Sequence, residues 1–137
     1  MNCNTKVSDC SHKEIKRVVE LTFDWCVNNM GVRKKKGLPE LKVSKKKFKK
    51  DPYYGCYVNL NHKITIYPET FKEWNNTLRK LIGIVIHEYC HTLQKGGDRL
   101  YLKYSKKYGY WNNPLEVEAR RSEKDWVRAY REIKHEI

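Results

Sequence analysis

No stretch of the sequence is long and apolar enough to cross a bilayer. The longest purely apolar run, Leu81 to Ile86, is six residues and includes Gly83, against roughly 20 for a membrane-spanning helix. The first residues, Met1 to Lys13, are polar and lack the apolar segment of a secretory leader. Both absences give the expectation of a cytoplasmic protein with no membrane partner. Cysteine shows no pairing pattern: Cys3, Cys10, Cys26, Cys56 and Cys90 are odd in number and irregular in spacing. That excludes a secreted disulfide framework and predicts free thiols. Cys3, Cys10 and His12 have too few partners at zinc-finger spacing to make a metal site of their own. Acid is short as well. Sixteen Asp and Glu stand against 29 Lys and Arg, a net charge of +13. Such an excess attracts nucleic acid, anionic surfaces or acidic proteins, and is silent about chemistry.

What is present suits one domain. A chain of 137 residues, 39% hydrophobic and with four tryptophans, can bury one real core but not two. The expectation is a monomer with a single domain over residues 1–137, a loose N-terminal arm over residues 1–10, and one cleft.

The pattern along the chain predicts an α+β fold. Ser11 and Glu14 read as a capping box, and Ile15, Val18, Val19, Thr22, Trp25 and Cys26 follow at helical spacing. Gly31 stops this helix. Residues 31–50 hold ten Lys or Arg and one acid, Glu40. Leu41, Val43 and Phe48 suggest a strand there, broken by Asp51-Pro52. Tyr53 to Leu60 and Lys63 to Tyr67 read as a hairpin around Asn61-His62. A small mixed or antiparallel sheet of about three strands results. Thr70 and Glu73 then suggest a second capping box. It would open one long helix from Phe71 through Leu93, ended by Gly96-Gly97. A tyrosine-rich helix from Arg99 to Tyr108 is closed by Gly109. Asn113-Pro114 opens the last helix, with Leu115, Ala119, Ser122, Trp126, Tyr130 and Ile133 as its stripe.

The long helix carries His87-Glu88-Tyr89-Cys90-His91. Two histidines at i and i+4 share one helix face, about 5–6 Å apart at their β-carbons. Their imidazoles can converge on one tetrahedral zinc ion. Glu88 lies beside that ion and can take a proton from its water without being a ligand. Ile84, Val85 and Ile86 before the motif are apolar, and Tyr89, Cys90, Thr92 and Leu93 carry no charge. A polar triad in such surroundings is costly unless something satisfies it. Cys90 points off the shared face and packs. His12, His62 and His135 are isolated and read as ordinary polar residues.

A catalytic zinc takes three protein ligands and an open position. A third histidine six residues past His91 is excluded, since Gly97 stands there. The last helix offers Glu116, Glu118 and Glu123. Glu116 and Glu118 lie roughly 80° to either side of its buried stripe, and Glu123 shares the flank of Glu116 two turns on. Periodicity leaves the choice between Glu116 and Glu118 open.

The run Asn-Pro-Leu-Glu-Val-Glu-Ala at 113–119 resembles the second motif of the gluzincin metallopeptidases, and the chain looks like their small single-domain members, the minigluzincins. The resemblance covers about residues 70–130. It implies a zincin-like fold and peptide-bond hydrolysis, with zinc on His87, His91 and Glu116 and with Glu88 as general base. Ala119 would be the small residue that lets two helices approach. Arg120 departs from the pattern, where an acid or amide is usual, and so the histidines' supporting partner is unassigned. The resemblance further implies a sheet strand along the cleft, supplied by the Tyr53–Tyr67 region, and an oxyanion donor from downstream. Tyr101, Tyr104, Tyr108 and Tyr110 are candidates for that donor, with Tyr108 and Tyr110 foremost. SprT-like and ImmA-like proteins are similar in plan. A terminal segment can cover the cleft in small enzymes of this type, and residues 1–10 are the candidate. Two other readings stand beside the peptidase. The basic run at 33–50 could hold nucleic acid or an acidic partner, or the chain could be a non-catalytic zinc protein.

Overall fold

The computed structural model describes residues 1–137. Its first helix begins as the sequence predicts. The Glu14 amide donates to the Ser11 hydroxyl at 3.1 Å, and the Ser11 amide donates to the Glu14 carboxylate at 2.8 Å. Helix α1 runs His12–Met30 and ends at Gly31, whose φ of 86° favours glycine. It buries Ile15, Val18, Val19, Trp25 and Cys26.

Three short strands follow: β1 (Glu40–Val43), β2 (Gly55–Val58) and β3 (Lys63–Ile66). Their order is β1-β3-β2, with β1 parallel and β2 antiparallel to β3. The sheet is mixed, and β2 is an edge. The hairpin turns through Asn61-His62, with His62 at φ 49°. The His62 ring meets Tyr57 Oη at 2.6 Å and the Gly37 carbonyl at 2.8 Å. It clamps the hairpin to the segment before β1. Phe48 lies outside β1 and packs edge-on against Tyr53 and Tyr67.

The expected long helix is two helices, α2 (Pro68–Glu73) and α3 (Leu78–Leu93). The chain leaves helical geometry at Trp74–Thr77, where Asn75 has φ 57°. A short amide side chain tolerates that left-handed conformation. Thr70 is not a cap. It lies inside α2 and donates to the Tyr53 carbonyl at 2.8 Å, tying α2 to the sheet. The apolar stripe continues across the break because Phe71, Leu78, Leu81 and Ile82 all face one core.

The N-terminal residues are not a loose arm. Val7 is fully buried and Cys10 is buried. The Val7 amide donates to Asn76 O, and the Leu78 and Arg79 amides donate to Thr5 O and Cys3 O, at 2.9–3.0 Å. The first amides of a helix lack partners within it, and this segment supplies two of them for α3.

Helix α4 (Gly97–Tyr108) and helix α5 (Pro114–Ser122) follow. Asn113 caps α5, accepting from the Leu115 amide at 2.9 Å. The expected single last helix tightens at Glu123–Asp125 into a 3-10 turn and resumes as α6 (Trp126–Ile133). The Ser122 hydroxyl donates to the Ala119 carbonyl at 2.6 Å, competing with the regular ladder at the break.

The core lies between α1, α3, α6 and the inner face of β3, where Ile64 and Ile66 are fully buried. Each such side chain contributes about 1.5–3 kcal/mol. Helix α3 runs through this core and is buried over most of its length. Its C-terminal turns therefore have a fixed frame. No helix is long and apolar enough to cross a membrane, and all five cysteines are free.

Candidate metal centre

Two turns of α3 bring His87 and His91 onto one face, and α5 lies across them. His87 Nε2 is 3.1 Å and His91 Nε2 is 3.3 Å from one oxygen, Glu116 Oε1. One ligand atom from each residue falls within 4.8 Å of the other two. Two atoms each about 2.0–2.1 Å from a tetrahedral ion stand about 3.3 Å apart. The three residues therefore fit a metal ion. Ala119, fully buried, lets α5 come this close to α3.

The charges point the same way. Glu88, Glu116 and Glu123 surround two imidazoles, so the site is short of positive charge. Burial pulls the His87 pKa down, but hydrogen bonds to Glu116 and Glu123 outweigh it and carry the value to about 9. Burial pushes the Glu116 carboxyl up, yet His87 and His91 hold it well below the usual carboxylate range. Glu88 is raised, chiefly by burial, with partial relief from both histidines. Its Oε2 is 4.0 Å from His87 Nε2, beside the ligand atoms and not among them.

Each of the three side chains is held from behind. His87 Nδ1 donates to Glu123 Oε2 at 2.8 Å, and His91 Nδ1 donates to Gln94 Oε1 at 2.7 Å. Gln94 is anchored in turn by donating to Leu115 O and Glu118 Oε1, both at 2.8 Å. Tyr101 donates to the second oxygen of Glu116 at 2.6 Å. With Nδ1 taken up by these partners, Nε2 is the ring nitrogen that each histidine turns to the common point.

The structure brings His87, Glu88, His91 and Glu116 together and leaves Glu118 outside, exposed and bonded to Gln94. Arg120 stacks on Trp111, 3.9 Å from its ring centroid, and donates to its carbonyl. The supporting acid absent at that position stands at Glu123. Its shared flank with Glu116 was the available signal. Gln94 gave none beyond lying three residues past His91.

The site is the floor of a cleft of about 310 Å³. Gly55, Cys56 and Tyr57 of β2 line it, as do Gly97, Asp98 and Tyr101 of α4. Gly55 is tightly enclosed there. A β-carbon on it would stand 3.0 Å from Thr65 O, 3.1 Å from Ile66 Cδ1 and 3.4 Å from Glu88 Cγ. Tyr110 lines the cleft, but Tyr108 does not; it packs near Tyr104, with ring centroids 6.1 Å apart. Tyr108 is thus removed as an oxyanion donor, because its place on α4 turns it from the cleft. No residue of 1–10 lines the cleft either, since that segment is bound to the far end of α3.

Comparison with protein-family models, with curated proteins and with solved structures finds no match.

Proposed function

We propose that the chain is a zinc-dependent metallopeptidase of gluzincin type. The observation that carries the reading is the convergence of His87 Nε2, His91 Nε2 and Glu116 Oε1, with Glu88 alongside and free to act. Two imidazoles and one carboxylate are a zinc donor set. A zinc ion held there supplies Lewis acidity and lowers the pKa of a bound water towards 7.

The chain's own residues do the rest. Glu88 accepts a proton from the attacking water and delivers it to the leaving amine. Glu123 and Gln94 keep the Nδ1 protons in place, so neither imidazole rotates off the site. Tyr110, exposed on the cleft wall, donates to the developing oxyanion. Tyr101 is already committed to Glu116. The free edge of β2 pairs with the backbone of an extended substrate.

The test is cleavage of a mixed peptide library by the zinc-loaded protein. Cleavage should stop on chelation and in Glu88→Gln, while Glu88→Gln keeps its metal. Retained cleavage in Glu88→Gln would remove the mechanism. Bound zinc with no cleavage by the wild type would favour a non-catalytic zinc protein.

A second reading adds a polyanion to the first. None of the ten Lys or Arg in 33–50 forms an ion pair with a carboxylate. A surface left so positive suits nucleic acid or an acidic protein. DNA binding that weakens steeply with salt supports this addition, and salt-independent or absent binding removes it.

A further inference from the structure

Helix α4 differs from every other helix in the fold. Its 12 residues include none that is buried, whereas α1, α2, α3, α5 and α6 each bury at least two. No other helix or strand packs extensively against it. Glycines in the left-handed region stand at both ends, Gly96 at φ 100°, Gly97 at φ 57° and Gly109 at φ 78°. A β-carbon on Gly96 would meet Leu100 at 2.5 Å, while one on Gly109 would meet nothing within 4 Å. The first end is a tight turn that only glycine makes, and the second is open to solvent.

The polar ties between α4 and the body are few. Tyr101 donates to Glu116 at 2.6 Å, and Asn113 donates to Tyr101 O at 3.1 Å and to Ser105 Oγ at 3.0 Å. All three fall on the inner face. The outer face carries Arg99, Lys103, Lys106 and Lys107, all exposed. Elements with few buried contacts open at low free-energy cost, ahead of the core around them. Helix α4 also lines the cleft, together with β2.

We infer that α4 is a hinged lid over the cleft, turning at Gly96-Gly97 and Gly109, and that Tyr101 latches it to Glu116. Opening breaks the Tyr101–Glu116 bond and separates α4 from β2. The cleft then admits a strand of polypeptide that the closed walls confine. Closing returns the phenol to the second oxygen of Glu116 and holds that carboxylate with one oxygen turned to the histidines. Tyr101 is a positioning residue in this scheme. The hinge stands on the geometry of α4 alone, and its use in substrate entry rests on the peptidase reading.

Amide hydrogen exchange followed by mass spectrometry tests the lid, on the full chain as wild type and as Tyr101→Phe, with zinc content measured on the same samples. In the wild type, amides of 100–108 should exchange together and faster than those of α3 and α5. In Tyr101→Phe the α4 amides should speed up by about tenfold or more, as expected for losing a hydrogen bond to a charged acceptor. Those of α1 and α3 should not change. If α4 is as protected as α5 in the wild type, and Tyr101→Phe leaves it so, the lid is overturned whatever the zinc content. If α4 opens as described but no zinc is bound, the lid stands and the peptidase reading falls.

Discussion

His87 Nδ1 donates to Glu123 Oε2 at 2.8 Å, across the junction of α3 with the 3-10 turn after α5. The turn begins at Glu123 itself, directly after α5. Glu116 and Glu123 approach His87 at its two ring nitrogens, Glu116 at Nε2 and Glu123 at Nδ1.

Glu123→Ala should weaken metal binding by about 10–100-fold, the usual cost of losing such a partner. Competition with a coloured chelator measures this directly. The fold should survive, since Glu123 is half-buried and belongs to no core cluster. An unchanged affinity would show that the bond does not orient His87.

Gly55→Val should destabilise the chain by about 1–3 kcal/mol through overpacking. Its side chain would be driven against Thr65 O and Ile66 and towards Glu88. Denaturant unfolding measures the loss. Because the crowding reaches Glu88, peptide cleavage should fall further than the unfolded fraction explains. Wild-type stability and rate together would mean that β2 shifts freely and does not fix the cleft wall.

Tyr110→Phe should lower kcat by about 100-fold with little change in KM, as expected for removing an oxyanion donor. At 61% exposure Tyr110 is not part of the core, so stability should hold. A rise in KM alone would make it a substrate-binding residue.

Much of this site was legible in the sequence because its parts are local. His87, Glu88 and His91 are fixed by helix geometry within two turns, and the flanking Ile84, Val85 and Ile86 declared their burial. Periodicity could not choose Glu116 over Glu118. That choice came from a resemblance to gluzincins, and in the structure Glu116 meets both histidines. Features depending on contacts between distant segments were missed. The break at Trp74–Thr77 is invisible to periodicity because both helices face one core. The hold of residues 3–7 on the start of α3 is backbone to backbone and leaves no side-chain signature. Gln94 and Glu123 acquire their roles only when α5 docks on α3.

Val7→Ala tests that N-terminal hold. Val7 is fully buried where the segment meets the start of α3. The substitution should cost about 2 kcal/mol, the lost apolar burial plus a small cavity. Thermal or denaturant unfolding reads it out. A change below about 0.5 kcal/mol would place the N-terminal segment outside the cooperative fold.

Elemental analysis of purified wild type, His87→Ala and Glu116→Gln tests the central claim most directly. The account predicts one zinc per chain in the wild type and loss of zinc in both variants. A wild type that takes up no zinc when offered it, or a Glu116→Gln variant that keeps its zinc in full, would contradict the three-ligand centre.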